Sequence, residues 1–299
     1  MFDKGKKVWK RGDLFIWLTG AGLALSLIMT AALLMAIVVN AMGSFWPGEL
    51  KILDLKDGSR VLGIQMAREV IPDFGPANGK PELYRIQIKK ANRDIYNSDF
   101  VWIDEESIKI SQTPKDVVAV TRREWGVFFG YIKEVLDGDQ VIAKGTVEGL
   151  KVARNLLPGV TKKNKDIEKI EKKEIGAINY KLERVRLKLR KLNLKGVTQG
   201  AEVEALKSEV PILQSHYDML ENKLHQLRTA QTAKIVLQTL EGREKTLPLS
   251  QMLDINNPNA FSLPDKIAYL LKGINNFFWD DPREANTEGG VFPAIYGTI

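Results

Sequence analysis

The stretch LFIWLTGAGLALSLIMTAALLMAIVVNAM, residues 14–42, contains no charged side chain. About 20 helical residues cross the roughly 30 Å hydrocarbon core of a bilayer, so this run is long enough to span a membrane with some tilt. A cleaved signal peptide would carry an apolar region of only about 7 to 15 residues, followed directly by small residues. The length therefore predicts an uncleaved transmembrane helix over residues 14–42, and a cleaved signal is the alternative.

The charges before this run predict its orientation. Five cations and two acids precede it: Lys4, Lys6, Lys7, Lys10, Arg11, Asp3 and Asp13. Short flanks rich in Lys and Arg stay in the cytoplasm, whereas long polar domains translocate largely regardless of their own charge. Residues 1–13 are therefore expected to be a basic cytoplasmic N-terminus of a protein in the cell inner (plasma) membrane. The chain from about Phe45 onward is expected to be extracytoplasmic.

Composition narrows the chemistry that the chain can carry out. A formal charge of +7 and a pI near 9.3 over 299 residues suit a nucleic-acid binder or a membrane-associated protein equally well. The chain has no cysteine, which excludes disulfides, thiolate metal ligands and thiol nucleophiles. His216 and His225 stand nine residues apart on one predicted helix and cannot share a metal ion there. We expect no metal and no cofactor.

Short runs of β-branched and aromatic residues, separated by turn residues, follow the apolar segment. These runs are typical of strands. The predicted strands are residues 51–56, 60–66, 84–90, 100–103, 107–111, 117–120, 125–135, 140–144, 233–240 and 244–249. The last two should pack back onto the earlier strands. We therefore predict a β-rich extracytoplasmic domain made of residues 48–160 and 231–263.

Residues 162–230, between these β portions, have a helical pattern. Apolar residues alternate in steps of three and four over residues 175–192 and again over residues 203–227, which is typical of a coiled coil. The connecting stretch is rich in glycine, so the two helices are expected to fold back as an antiparallel coiled-coil hairpin. Pro211 should kink the second helix or open it locally, because it lacks an amide hydrogen.

The first arm of this hairpin is strongly basic. Residues 162–195 carry thirteen Lys and Arg against five acids, and residues 201–230 carry three against five, so the arms should partly neutralise each other. The cations of one stretch would suit nucleic acid if taken alone: Lys181, Arg184, Arg186, Lys188, Arg190 and Lys191. The predicted topology places them outside the cytoplasm, so no nucleic acid is expected. A solvated hairpin is one interpretation, and a docking site for an acidic protein or anionic lipid is the other.

The C-terminal part contains two further apolar segments. Residues 264–280 predict an amphipathic helix whose apolar stripe lies either in a protein core or at the membrane surface. Residues 289–299 are too short to cross a bilayer, and we interpret them as the start of a truncated second membrane segment. The expected fold class is an α+β membrane protein with one N-terminal transmembrane helix, a β-rich extracytoplasmic domain and an inserted coiled-coil hairpin.

The string PREANTEGGVFPAIYGT, residues 282–298, resembles the segment that leads into the second membrane helix of PstA-type permeases. These are the inner-membrane permease subunits of bacterial phosphate ABC transporters. Residues 92–96 (NRDIY), a following group made of Phe100, Trp102 and Ile103, and residues 122–126 (RREWG) resemble the enlarged extracytoplasmic region of one branch of that family. The resemblance implies three partners: a second permease subunit, a cytoplasmic ATPase dimer and a phosphate-binding protein. Membrane lipid is a further expected partner because of the predicted transmembrane helix.

The chain also departs from that family. It lacks the remaining membrane helices and the loop that engages the ATPase, and it has no G-x-x-x-x-G-K-[ST] motif for ATP hydrolysis. It is expected to be the N-terminal part of a permease subunit of an ATP-driven phosphate importer, not transport-competent alone. No phosphate-binding residue is assigned. The alternative is a single-span anchored extracytoplasmic scaffold that uses its coiled-coil hairpin to bind a partner.

Catalysis is not expected. Two acidic pairs, Asp104-Glu105 and Asp280-Asp281, lie beside predicted turns, where solvated carboxylates are ordinary. No nucleophile, base or metal-ligand cluster stands near them in the sequence.

Overall fold

A computed structural model of the chain describes residues 13–72, 74, 81–280 and 289–296. The predicted cytoplasmic segment up to residue 12, most of the PREANTEGG string and residues 297–299 lie outside the described residues. The α-helices are α1 (Asp13–Phe45), α2 (Arg93–Tyr96), α3 (Gly145–Lys169), α4 (Gly176–Leu194), α5 (Ala201–Thr229), α6 (Leu263–Trp279) and α7 (Val291–Tyr296). They belong to two compact units: α1, α6 and α7 lie in one, and Gly48–Ala260 forms the other.

The strands are β1 (Leu50–Leu55), β2 (Arg60–Val70), β3 (Tyr84–Lys89), β4 (Phe100–Asp104), β5 (Ile108–Gln112), β6 (Val118–Arg122), β7 (Val127–Asp137), β8 (Gln140–Lys144), β9 (Ala233–Gln238), β10 (Glu244–Pro248) and β11 (Met252–Asn256). Each of the ten predicted runs overlaps one of the strands β1 to β10. The protein is therefore mixed helix and sheet.

Helix α1 exposes large apolar side chains on every side. A helix that is apolar all round requires apolar surroundings, because water would not stabilise such a surface. Within the described residues it is the one helix long and apolar enough to cross a membrane. It extends past the predicted end at Met42 to Phe45.

The first sheet has the antiparallel strand order β4-β3-β2-β1-β5. A single 3-10 turn, Glu105–Ser107, connects β4 to β5, and β5 returns to pair with β1. Both faces of the sheet are buried near β1, since Leu53 packs with Ile86, Ile88 and Ile103, while Leu50 and its neighbours pack against the second sheet. The sheet therefore shares one core with the next.

The second sheet has the order β10-β9-β7-β6-β11, and β8 also pairs with β7. Strand β9 pairs with β7, so the chain after the helices does return to the earlier strands. Strand β11 was not predicted. Its register shifts between Met252 and Asp254, and this irregularity removes the strict alternation by which a strand is recognised.

Helix α3 covers this second sheet. The prediction placed residues up to 160 in the β-rich part and did not include this helix. Ala153 and Leu157 are buried in the core of the sheet, and Leu150 and Val160 pack beside them. These positions follow helical spacing, but the small Ala153 weakens the signal. Proline usually ends a helix, but Pro158 lies inside α3.

Gly149 lets α3 approach β7 closely, because a Cβ at this position would lie 2.6 Å from Ile132 Cγ2. We expect Gly149→Ala to lower the free energy of unfolding by about 1–3 kcal/mol relative to Gly159→Ala. Gly159 is a matched control on the same helix, since a Cβ there meets nothing within 4 Å. Both variants gain the same helix propensity, about 0.5–1 kcal/mol. Urea titration of the full chain in detergent, read by pulse proteolysis, measures the difference; equal stabilities would contradict the close packing.

Helices α4 and α5 pack against each other through a separate apolar cluster. Val185 of α4 and two residues of α5, Leu206 and Leu213, are buried in it. A π-helical turn, Ile170–Ile175, joins α3 to α4. Helix α5 is continuous through Pro211.

Candidate functional site

Four residues other than glycine have positive φ within the described part of the chain, and all lie where the two sheets join. They are Ala91, Asn92, Asn97 and Trp125, with φ of 52°, 55°, 58° and 67°. Positive φ is costly for a side chain that bears a Cβ, and such positions cluster at functional sites. The segment Ala91–Asn97 and the turn Arg122–Val127 are called the joint below.

Asn92 fixes the first segment of the joint to β7. Its side-chain amide donates to the carbonyl oxygen of Phe129 over 2.8 Å, and the Phe129 amide donates back to Asn92 Oδ1 over 2.8 Å. The buried side chain therefore replaces a neighbouring strand at this point of the ladder. Asn also tolerates the left-handed conformation better than most residues, which explains this residue type here.

A buried ion pair fixes the second segment. The Arg122 guanidinium binds both carboxylate oxygens of Asp94, each over 3.0 Å, and the side chains are only 2% and 4% exposed. The same guanidinium donates to the carbonyl oxygens of Trp125 over 2.7 Å and Gly126 over 3.1 Å. Arg122 therefore holds α2 and the β6–β7 turn together.

The carboxylate of Asp94 stays ionised in this position. Burial by itself would raise its pKa, but hydrogen bonds and charge from Arg122, with a smaller contribution from Lys245, lower the pKa below its ordinary value of 3.8. The Lys245 ammonium lies 3.3 Å from Asp94 Oδ2. Asp94 is therefore a fixed negative charge and not a proton carrier near neutral pH.

The lowered pKa predicts a pH-dependent contribution to stability. The contribution is fully present above the unfolded-state pKa and is lost as the pH falls through the lower native pKa. We expect the stability difference between the wild type and Asp94→Asn to be constant from neutral pH down to about pH 5 and to shrink below about pH 4. Urea unfolding across this range measures it. A difference that grows on acidification would contradict the lowered pKa.

The surface above the joint is aromatic and cationic. Trp125 is 51% exposed, and Tyr96 has Lys90 Nζ 5.0 Å and Arg243 Cζ 5.7 Å from its ring centroid. Exposed tryptophan on a rigid frame is a frequent binding hot spot. The arrangement is suited to binding a partner surface.

The acidic pairs and the two histidines lie outside the joint. Glu105 binds Arg68 through two hydrogen bonds of 2.6 and 2.9 Å, which lower its pKa, and it takes no part in the joint. The amide of Asp280 donates to Asn276 at the end of α6; Asp281 lies outside the described residues. Both histidines are exposed on α5. No group of acids and histidines able to hold a metal exists in the part of the chain that the structure describes.

Arg122 was a residue that strand periodicity could have identified. Val118, Val120 and Arg122 are all buried and occupy alternate positions of β6, so the pattern places a guanidinium on a core-facing position. Its partner could not be predicted, because Asp94 lies far away in the sequence.

No protein-family model, no curated protein and no solved structure matches this chain. The joint is therefore interpreted from its own geometry.

Proposed function

We propose that this chain belongs to an inner-membrane permease subunit of an ATP-driven phosphate importer. In this proposal α1 is its first membrane helix, the N-terminus is cytoplasmic, and Gly48–Ala260 is an enlarged extracytoplasmic region. The chain would work with a second permease subunit, a cytoplasmic ATPase dimer and a phosphate-binding protein.

The observation that carries the proposal is the return of the chain to α1. The Phe277 ring of α6 packs edge-on against Phe45 at the C-terminal end of α1, with 5.5 Å between the ring centroids. A Cβ added to Gly273 would lie 3.3 Å from the same Phe45 ring. The chain therefore leaves α1, forms a separate unit, and comes back to the same helix end. This connectivity is what a large loop between two membrane segments of one permease requires.

The joint gives a second line of support. Residues 92–96 and 122–126, which carry the upstream part of the resemblance to PstA-type permeases, meet through Asp94 and Arg122. The two segments are thus parts of one structural feature. A shared feature is stronger support for the resemblance than two unrelated short strings.

Affinity purification from membranes tests the proposal. The tagged chain would be expressed with its natural downstream reading frame in phosphate-limited cells and extracted in mild detergent. We expect a second permease subunit and a cytoplasmic ATPase to co-purify. Recovery of an envelope protein without any transporter ATPase would overturn the permease assignment.

One observation favours the alternative scaffold function. Lys181, Arg184, Lys188, Arg190 and Lys191 of α4 form no ion pair that the structure describes. In the ion pair that joins the two arms, the cation is Arg228 of α5 and the acid is Glu171, which precedes α4. The basic residues of α4 are therefore not neutralised by this pair. In this alternative, α4 and α5 form a coiled-coil hairpin whose cations bind an acidic partner.

Charge reversal tests the scaffold function in the same purification. Replacing Lys181, Arg184 and Lys188 by glutamate should remove the co-purified envelope protein. The matched control changes three lysines of α3, Lys151, Lys162 and Lys165, to glutamate and should retain it. Loss in both variants would show a general charge effect and contradict binding by α4.

A further inference from the structure

Helix α6 carries an apolar arc that its own unit leaves uncovered. Leu270 is the one buried residue of the helix, at 8% exposure, whereas Ile267 and Leu271 are 52% and 60% exposed. The residues of the arc lie three or four positions from one another along one face of the helix, with two adjacent pairs among them: Leu263, Ile267, Leu270, Leu271, Ile274, Phe277 and Phe278. At 3.6 residues per turn they occupy about one third of the helix circumference.

The opposite side of α6 is polar. Asp265, Lys272 and Asn276 lie there, and all three are exposed. The helix begins at a defined point, because Ser262 Oγ and the Asp265 carboxylate form a capping box. An apolar arc beside a polar face of this kind is typical of a helix that lies in a membrane interface.

Aromatic rings fix the end of α6 at the end of α1. Phe277 contacts Phe45 of α1, Phe278 lies 5.7 Å from Phe292 of α7, and Trp279 lies 4.9 Å from the same Phe292 ring. Tyr296 stacks on Phe292 at 6.4 Å. Tryptophan and tyrosine are enriched at the depth of the lipid headgroups. The cluster is therefore suited to the boundary at which α1 would leave a bilayer.

We propose that α6 lies flat in the lipid interface on the side where α1 ends, with the arc from Leu263 to Phe278 in the acyl boundary. The inference needs α1 to cross a membrane, as the proposed function does, but it does not need phosphate transport. A bilayer is the favoured occupant because Phe45 already holds α6 at the end of the apolar helix. Placing the exposed Leu, Ile and Phe side chains of the arc in lipid removes their apolar surface from water, which stabilises the helix there.

Single cysteines test the inference, because the chain has none of its own. An environment-sensitive fluorophore would be attached at Ile267→Cys and Leu271→Cys on the arc, and at Lys272→Cys and Asn276→Cys on the polar side. The full-length variants would be placed in proteoliposomes. Quenching by nitroxide-labelled lipid and by aqueous iodide would then be measured at each position.

We expect the arc positions to be quenched by nitroxide lipid several-fold more strongly than the polar positions, and iodide to give the reverse order. Equal exposure of all four positions to iodide would overturn the inference. Protection of the arc from both quenchers would overturn it too, since a protein surface would then cover the arc. Leu27→Cys of α1 separates the two proposals: strong lipid quenching at Leu27 with none on the arc contradicts only the placement of α6.

Discussion

Replacing Leu27 and Leu33 by arginine is expected to release the chain from the membrane. Both residues lie in the central part of α1 and are exposed in its unit. An arginine at the centre of a membrane helix costs about 2.5–3.5 kcal/mol on insertion scales, so the pair opposes insertion by about 5–7 kcal/mol. Extraction of membranes with alkaline carbonate measures the effect. The wild-type chain should stay in the pellet, and most of the variant should move to the supernatant.

A double isoleucine variant, L27I/L33I, is the control for this experiment, because it keeps both positions apolar. It should remain in the pellet like the wild type. If the double-arginine chain also resisted extraction, a segment other than α1 would anchor it. Within the described residues α1 is the one candidate span, so such a result would contradict the proposal that α1 is the membrane anchor.

Replacing Arg122 by alanine is expected to destabilise the Gly48–Ala260 unit by about 3–5 kcal/mol. Removing one partner of a buried ion pair leaves the other charge without compensation, and this costs more than the pair itself contributes. Here Asp94 would retain only Lys245, and the carbonyl oxygens of Trp125 and Gly126 would lose a donor. For a domain of this size the loss corresponds to a fall in Tm of roughly 6–20 °C. Tryptophan fluorescence during thermal unfolding in detergent measures it.

Two further variants test whether the loss of stability arises from the buried charge or would follow the removal of any arginine. Arg60→Ala removes an exposed pair with Asp54, whose closest atoms are 2.7 Å apart, and should cost less than about 1 kcal/mol. Arg122→Met combined with Asp94→Leu removes both charges and should recover much of the stability lost by Arg122→Ala. Equal losses in Arg60→Ala and Arg122→Ala would contradict the assignment of the joint as the element that holds the two sheets together.

Elements with a strong local pattern were predictable from the sequence. The uncharged run identifies α1 by its length alone, and the predicted strand over residues 140–144 coincides with β8. The steps of three and four over residues 175–192 and 203–227 likewise fall within helical structure. In each case the side chains that the pattern selects are neighbours along one element, so short-range spacing contains the necessary information.

Elements that depend on distant contacts were not predictable. The joint requires Asp94 and Asn92 to meet Arg122 and Phe129, and nothing in the spacing of one sequence relates these positions. Helix α3 was not predicted because a proline such as Pro158 usually marks the end of a helix. Here the packing of Leu157 against the sheet stabilises a helix that continues past Pro158. The exposed position of Trp125 likewise depends on the turn backbone that Arg122 holds, so the sequence alone did not identify this residue.

The side of the membrane on which the Gly48–Ala260 unit lies is the central claim, and cysteine labelling in spheroplasts tests it most directly. Thr198→Cys places a thiol in the exposed loop between α4 and α5, and Lys6→Cys places one before α1. We expect a membrane-impermeant maleimide to label Thr198→Cys in intact spheroplasts and Lys6→Cys only after lysis. Labelling of Lys6→Cys in intact spheroplasts, with Thr198→Cys protected until lysis, would contradict the extracytoplasmic placement and the permease proposal with it.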